Sequence, residues 1–180
     1  MTIDHDPLDA YVLEVANLDG ASFSEFGVVF DPSHASPTMD ADGWRCWSVY
    51  TPVQGNGMTG GIVRVDRRQM VVREMERHLG AAEWVVPHDG AIIQVVAPPV
   101  PDASEDDLPV ASELRAFRIP VGSAILMHPG TWHSVAFGES ESVTYSFAVQ
   151  TALSASSWRR ITGAKEVRVG RGAAEQPELS

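Results

Sequence analysis

Four acidic or imidazole side chains between residues 76 and 133 are spaced as a functional site would need them. Glu76 and His78 are two residues apart, so on a β-strand both side chains point to the same face. Glu83 follows after a short turn, and an adjacent strand can bring its carboxylate back to the same pocket. A Pro-Gly turn then carries His133 onto a further strand. Imidazoles titrate near neutrality, so this set of side chains suits proton transfer.

The elements that must position these residues are short strands separated by turn signals. One short helix is predicted over 17–27, with Asp19 as its capping candidate and Gly27 as its stop. Loops are predicted at 31–43 and at the acidic, proline-rich insert 98–109. Because no βαβ alternation is present, the pattern favours an antiparallel sandwich or barrel. The predicted strands are 11–15, 28–30, 44–50, 60–66, 70–78, 83–87, 91–97, 113–119, 124–128, 132–137 and 142–150.

Composition narrows the class of protein. The 180 residues fit a single domain, predicted at 1–169, followed by a mobile tail at 170–180. The net charge of −11 argues against nucleic acid as a partner. The single cysteine, Cys46, excludes a disulfide framework within the chain and is expected to be a buried strand residue. No signal peptide or membrane segment is visible, so a cytoplasmic protein that does not contact a membrane is expected.

The spacing of the acidic and imidazole residues resembles the two signature motifs of the cupins, which are double-stranded β-helix proteins of the jelly-roll class. In the first cupin motif two His and a Glu bind a metal and a Gly closes the motif, and in the second motif a His supplies the fourth ligand. In this sequence Glu replaces the first His. The corresponding residues are Glu76, His78, Glu83 and Gly90 for the first motif, and Gly122, Gly130 and His133 for the second.

A closer resemblance is to the ureidoglycolate lyases, and it covers roughly residues 11–150. Six short sequence motifs occur in the same order as in that family: 21–27 (ASFSEFG), 75–78 (MERH), 85–87 (VVP), 95–98 (VVAP), 114–117 (LRAF) and 132–133 (WH). The sequence departs from the family at Leu79, where the family has Pro, and at Glu83, where it usually has Gln. It also carries Ser134 in place of a second His, and Gln150-Thr151 in place of a closing Asp-Arg.

The resemblance implies an all-β cupin-type barrel, a homodimer, and a lyase that splits ureidoglycolate or a related small α-substituted acid. Such a reaction needs a base for the hydroxyl proton and an acid for the departing nitrogen. A divalent metal could instead lower the pKa of the hydroxyl, and two carboxylates with two imidazoles suit Ni²⁺, Mn²⁺, Zn²⁺ or Fe²⁺. The expected metal ligands are Glu76, His78, Glu83 and His133. The expected catalytic residues are His78, His128, His133 and Glu76, and the anionic substrate is expected to contact Arg64, Arg77, Arg115 or Trp132.

Other interpretations of the same residues remain open. Glu83 moves the site towards an ordinary cupin metal centre, which allows a metal-dependent isomerase, hydrolase or dioxygenase. A small-molecule-binding domain without catalysis is the third hypothesis. Individual residues also have structural interpretations: Glu83 as an exposed strand carboxylate, Trp132 as a wall, Arg115 as a surface ion-pair partner, and His88 as an exposed turn residue.

Overall fold

The computed structural model describes residues 11–30, 36, 39–41, 44–46, 59–100, 104, 106–150 and 158–170. Nearly all regular structure in these residues is β-strand. The strands are β1 (Tyr11–Leu13), β2 (Val15–Asn17), β3 (Gly27–Phe30), β4 (Met39–Ala41), β5 (Trp44–Cys46), β6 (Thr59–Asp66), β7 (Val71–Val72), β8 (Glu74–Met75), β9 (Glu83–Pro87), β10 (Ile92–Ala97), β11 (Arg115–Ile119), β12 (Ala124–Met127), β13 (Trp132–His133), β14 (Phe137–Gly138), β15 (Ser142–Val149), β16 (Arg159–Arg160) and β17 (Val167–Val169).

Two five-stranded sheets form the centre of the fold. One has the order β3-β12-β9-β15-β6, and the other has the order β13-β10-β11-β2, with β14 also pairing with β10. Three smaller sheets, β1-β17-β7, β16-β8 and β4-β5, contain the remaining strands of the described residues. The predicted all-β architecture, with two sheets of mainly antiparallel strands, is confirmed.

Two hydrophobic cores lie on opposite faces of β10. Ile92 and Val96 point into an inner core between the two large sheets, together with Val85 and Tyr145. Residues in the alternate phase, such as Val95, point into an outer core. All six residues of β10 are buried because both of its faces are covered, which explains the nearly continuous apolar run IIQVVA. A residue that pairs with β10 therefore points to the inner core when its β10 partner does, and to the outer core when its partner does.

The predicted helix at 17–27 is wrong. Residues 20–26 form turns, and the only helix in the described part of the chain is a 3₁₀ helix at Ala111–Glu113. Asp19 does act as a cap, since its carboxylate accepts hydrogen bonds from the backbone N–H groups of Ala21 and Ser22, both at 2.9 Å. Tertiary packing nevertheless sets the conformation of this segment, because Phe23 and Phe26 are both buried in the inner core.

Several predicted strands are divided more finely than expected. The strand predicted at 70–78 breaks at Arg73, because β7 pairs with β17 whereas β8 pairs with β16. The strand predicted at 132–137 divides into β13 and β14. The loop predicted at 31–43 contains β4, which pairs with β5. The insert 98–109 contains no strand in its described residues.

Some expectations lie outside the described residues. These are the strand structure predicted at 47–50, the burial of the Cys46 side chain, and the tail at 171–180. Among the described residues, no helix is long and apolar enough to cross a membrane.

Candidate metal centre

Glu83 enters the site from the first of the two large sheets. It begins β9, in which Glu83, Val85 and Pro87 are buried and alternate with half-buried residues. Its neighbours on adjacent strands are Met127 and Val149. Since Val85 and Met127 belong to the inner core, the same phase places the Glu83 carboxylate at one end of that core. Glu83 is buried, so its interpretation as an exposed strand carboxylate is wrong.

Glu76 and His133 face Glu83 from the opposite side of the barrel. Their backbones are joined by two hydrogen bonds, of 2.9 Å from the Glu76 N–H and 2.8 Å from the His133 N–H. His133 also pairs with Val96, an inner-core residue, and cross-strand partners share a face. Both side chains therefore point inwards.

The turn before β13 fixes the position of His133 relative to His78. Gly130 has a φ of 83°, a conformation that favours glycine, and its N–H donates to the carbonyl of His78 at 2.8 Å. The Pro-Gly turn expected from the sequence therefore exists, and it links the segment after His78 to the strand that carries His133.

The structure brings together all four predicted metal ligands. The Glu83 Oε2 lies 3.0 Å from the Nε2 of His133 and 3.3 Å from the Nε2 of His78. The Glu76 Oε1 lies 3.6 Å from the Nε2 of His133. One ligand atom from each of Glu76, His78 and His133 can be chosen so that all lie within 4.8 Å of one another. Two atoms that each lie about 2.1 Å from one ion are at most about 4.2 Å apart, so only a small contraction is needed.

The hydrogen-bonding of these side chains fits a metal ion. Three of their buried polar atoms, His78 Nδ1, Glu83 Oε2 and His133 Nε2, make no well-aligned hydrogen bond among the described residues, although Glu83 Oε2 and His133 Nε2 lie only 3.0 Å apart. His133 Nδ1 lies 3.2 Å from the carbonyl oxygen of Thr131 and donates its proton there. That bond leaves the Nε2 lone pair of the neutral imidazole pointing into the cluster, an arrangement typical of metal-binding histidines. The donor set of two carboxylates and two imidazoles is suited to a borderline divalent ion.

The ionisation of the cluster follows from its charges. Burial alone raises the pKa of Glu83, but the imidazoles of His133 and His78 outweigh this and hold that pKa at about 2. Burial alone lowers the pKa of His133, but the carboxylates of Glu83 and Glu76 outweigh it and raise that pKa to about 10. The protein without metal therefore holds a proton on His133 between two carboxylates, at a position where a cation would replace it.

Arg115 lies on the same face of the sheet as the cluster. It pairs with Val96, which pairs in turn with His133, so the three residues form a row across neighbouring strands. The Arg115 side chain is exposed, and its Nη1 donates to the carbonyls of Ser112 at 3.1 Å and Leu114 at 2.9 Å. A guanidinium has five N–H donors, so others remain for an anionic group. Among the predicted substrate contacts, Arg115 has a register that places it on the same face as the cluster, two strands from His133.

Arg77 and Trp132 lie on the opposite, outer face. Each is 1% exposed, and the Arg77 guanidinium carbon lies 4.2 Å from the centroid of the Trp132 ring. The strand period explains this placement, because Arg77 lies between the inward-pointing Glu76 and His78, and Trp132 directly precedes His133. The structure therefore supports the interpretation of Trp132 as a wall and places neither side chain where a substrate would meet the cluster.

Two further predicted site residues are not brought to the cluster. Arg64 is 73% exposed on the outer face of β6 and donates from Nε to the Ser142 hydroxyl at 2.7 Å. Its neighbours Val63 and Val65 take the inward phase, so Arg64 must point away. His128 is exposed, because it follows Met127, which points inwards at the end of β12.

Sequence reasoning missed two residues that support the site. The Thr131 carbonyl orients His133, as described above. Gln94 is buried in the inward phase of β10, and its Nε2 donates to the carbonyl of Ser134, directly after His133, at 2.7 Å. A single amide in the apolar run IIQVVA was the available signal for Gln94, whereas a backbone carbonyl leaves no signal in the sequence.

Comparisons with known proteins show that this chain is similar to some of them in fold alone. No family model matches the chain, and no curated protein sequence does. RmlC from Streptococcus suis, solved in complex with dTDP-D-xylose, is similar with 13% identity and a TM-score of 0.40, over 54% of this chain and 46% of that chain. Oxalate decarboxylase from Bacillus subtilis, studied for its Mn(II) centres, is similar with 15% identity and a TM-score of 0.37, over 52% of this chain and 21% of that chain. The chain thus spans less than half of the length of either protein.

Proposed function

We propose that this protein is a metal-dependent enzyme of the cupin type, and that it cleaves the carbon–nitrogen bond of ureidoglycolate or a related small α-substituted acid. The observation that carries the proposal is the buried cluster of Glu76, His78, Glu83 and His133, whose carboxylate oxygens and imidazole nitrogens face one another at 3.0, 3.3 and 3.6 Å with few well-aligned hydrogen bonds. Unpaired buried polar atoms are costly, so such a cluster is retained where a ligand satisfies it.

The proposed reaction needs one proton to leave the substrate hydroxyl and one to reach the departing urea nitrogen. Glu76, His78 and His133 would hold the divalent ion, with one oxygen of Glu83 as a fourth ligand. The ion would bind the α-hydroxy acid and lower the pKa of its hydroxyl. The second oxygen of Glu83 accepts the hydroxyl proton and returns it to the nitrogen as the carbon–nitrogen bond breaks, so that glyoxylate and urea leave with no net change in protons.

The substrate carboxylate would lie towards Arg115. This guanidinium shares the inner face with His133 and is exposed to solvent, so it can meet an anion that enters the barrel. A planar guanidinium can bind a carboxylate with two parallel hydrogen bonds. We expect Arg115→Gln to raise KM about tenfold or more with a smaller effect on kcat, because the contact is made to a group that does not react.

The proposal is tested by elemental analysis of the purified protein, followed by an assay of urea and glyoxylate release on the same sample. His78→Ala and His133→Ala should each abolish turnover and metal uptake while the far-ultraviolet circular dichroism stays unchanged. His88→Ala is the matched control, since His88 is exposed in the turn after β9. Full turnover by either cluster variant contradicts the proposal.

A metal-dependent isomerase, hydrolase or dioxygenase is the second candidate. The specific observation in its favour is Glu83, which places an ionised carboxylate between two imidazoles where the lyases that the sequence resembles usually carry an amide. Iron in a stoichiometric amount, with dioxygen consumed in the presence of substrate, would favour this candidate over the lyase. Ligand binding without turnover by any of these assays would favour a binding domain.

A homodimer and a cytoplasmic location stay predictions. The oligomeric state is measured directly by light scattering on the same preparation.

A further inference from the structure

The buried guanidinium of Arg77 joins the two strand segments that carry the proposed metal ligands. Arg77 separates Glu76 from His78 in the sequence, and it packs on Trp132, which directly precedes His133. The stack lies in the outer layer, behind the cluster, since Trp132 belongs to the outer core. The position of Arg77 is therefore linked through the backbone to Glu76 and His78, and through Trp132 to His133.

The polar partners of this guanidinium come from the acidic insert. Its Nη2 donates to the carbonyl of Ser104, and its Nη1 lies 3.8 Å from a carboxylate oxygen of Asp107. The same carboxylate oxygen accepts the Ser104 N–H at 2.7 Å, and the Asp107 N–H donates to the Ser104 carbonyl at 3.2 Å. Residues 104 and 107 are thus joined by two hydrogen bonds beside the guanidinium, and we call this hydrogen-bonded pair the insert turn.

The buried positive charge of Arg77 needs a counter-ion, and the insert turn supplies it through Asp107. The Arg77 side chain is 1% exposed, and Asp107, at 35%, is the only acidic residue within 4 Å of it in the described part of the chain. A buried cation that loses its counter-ion is strongly destabilised. We therefore expect the guanidinium to hold its place against Trp132 while Asp107 faces it.

We propose that Arg77 is a positioning residue for the metal centre, and that it couples closure of the insert turn to metal binding. This inference rests on the proposed function in that it needs the cluster to bind an ion. The coupling is reciprocal, because two events that favour the same arrangement of a shared residue favour each other. Opening the insert turn weakens metal binding, and bound metal holds the turn closed.

The matched pair Asp107→Asn and Asp106→Asn tests this inference, because both variants remove one negative charge from the same turn. The Asp107→Asn variant keeps an amide oxygen for the Ser104 N–H and loses only the charge that faces Arg77, whereas Asp106 is exposed and makes no ion pair with Arg77 among the described residues. Zn²⁺ is titrated into the full metal-free chain. We expect Asp107→Asn to weaken Zn²⁺ binding about 10- to 100-fold, the range known for residues that orient metal ligands, and Asp106→Asn to bind as the unchanged protein does.

A second readout separates positioning from general stability. Amide hydrogen exchange at positions 104 and 107 is measured by NMR with and without Zn²⁺. The ion should slow exchange at both amides in the unchanged protein and in Asp106→Asn, and should have little effect in Asp107→Asn. Arg77→Lys should fall between the two, since it keeps the charge and loses the planar fork.

Equal Zn²⁺ affinity in Asp107→Asn and Asp106→Asn overturns the inference. Exchange at positions 104 and 107 that is unaffected by Zn²⁺ in a protein that binds the ion also overturns it. If the unchanged protein takes up no metal, the proposed function fails and so does the coupling. The placement of Arg77 is still judged in that case by the free energy of unfolding of the metal-free protein: a larger loss in Asp107→Asn than in Asp106→Asn supports the contact between Arg77 and the insert turn, and equal losses refute it.

Discussion

The inner and outer faces of the same short strand segments have opposite chemistry. Residues 76 and 78 on one segment and 133 on the other present carboxylate and imidazole groups to the barrel interior, whereas residues 77 and 132 form an arginine–tryptophan stack behind them. The inner face brings together ionisable groups that can share a cation, whereas on the outer face a cation packs on an aromatic ring. The comparison teaches that the strand period divides two tasks, ligand binding and ligand positioning, between adjacent residues.

The largest effect on stability should come from the outer face. Trp132→Ala should lower the free energy of unfolding by about 3–5 kcal/mol, because it opens a cavity in a fully buried site and removes the surface on which Arg77 stacks. Trp158→Ala is the control, since Trp158 is 41% exposed and should change stability far less. Urea denaturation measures both. A loss in Trp132→Ala no greater than in Trp158→Ala would show that the two faces do not differ in this way.

The largest effect on binding should come from the inner face. His133→Ala should weaken Zn²⁺ binding more than about 100-fold, beyond the range for residues that only orient ligands, because it removes a donor atom. The circular dichroism spectrum should be preserved. Calorimetric titration measures the affinity, and an unchanged affinity would exclude His133 as a ligand.

The Pro-Gly turn that precedes β13 should give an intermediate effect on stability. Gly130→Ala should cost about 1–2 kcal/mol, because φ at this position is 83° and a side chain strains that conformation. Gly80→Ala is a suitable control, since Gly80 has no positive φ and no atom within 4 Å of the position that a Cβ would take. Thermal unfolding compares the two. A Gly130→Ala protein as stable as Gly80→Ala would show that the turn tolerates a side chain.

The smallest effect should come from the exposed outer face of the other large sheet. Arg64→Ala should change the free energy of unfolding by less than about 0.5 kcal/mol and leave turnover unchanged, because the side chain is exposed and its ion pair with Asp66 is long, at 3.7 Å. A substantial rise in KM for the substrate would make Arg64 a substrate contact again.

Much of the site could be predicted because it depends on short-range rules. The two-residue period placed Glu76 with His78, and the Pro-Gly turn placed His133 near them. The same period, applied to Arg64 between Val63 and Val65, would have excluded that residue in advance. It would equally have assigned Arg77 to the opposite face from its neighbours.

The errors arose where tertiary packing decides the local structure. Asp19 caps its segment as a helix start would, yet burial of Phe23 and Phe26 in the inner core holds that segment in turns. The break at Arg73 depends on which strands β7 and β8 find as partners, and no local pattern specifies pairing over such a distance. The contact between Arg77 and the insert turn is equally non-local.

The row formed by His133, Val96 and Arg115 implies a limit on the length of the molecules that the barrel can accept. Adjacent strands in a sheet lie about 4.8 Å apart, so two intervals separate the His133 and Arg115 backbones by about 10 Å. Side chains on one face of a sheet stand side by side, so an acid held at both ends must span about that distance. Lengthening such an acid by successive methylene groups should therefore reduce its turnover stepwise.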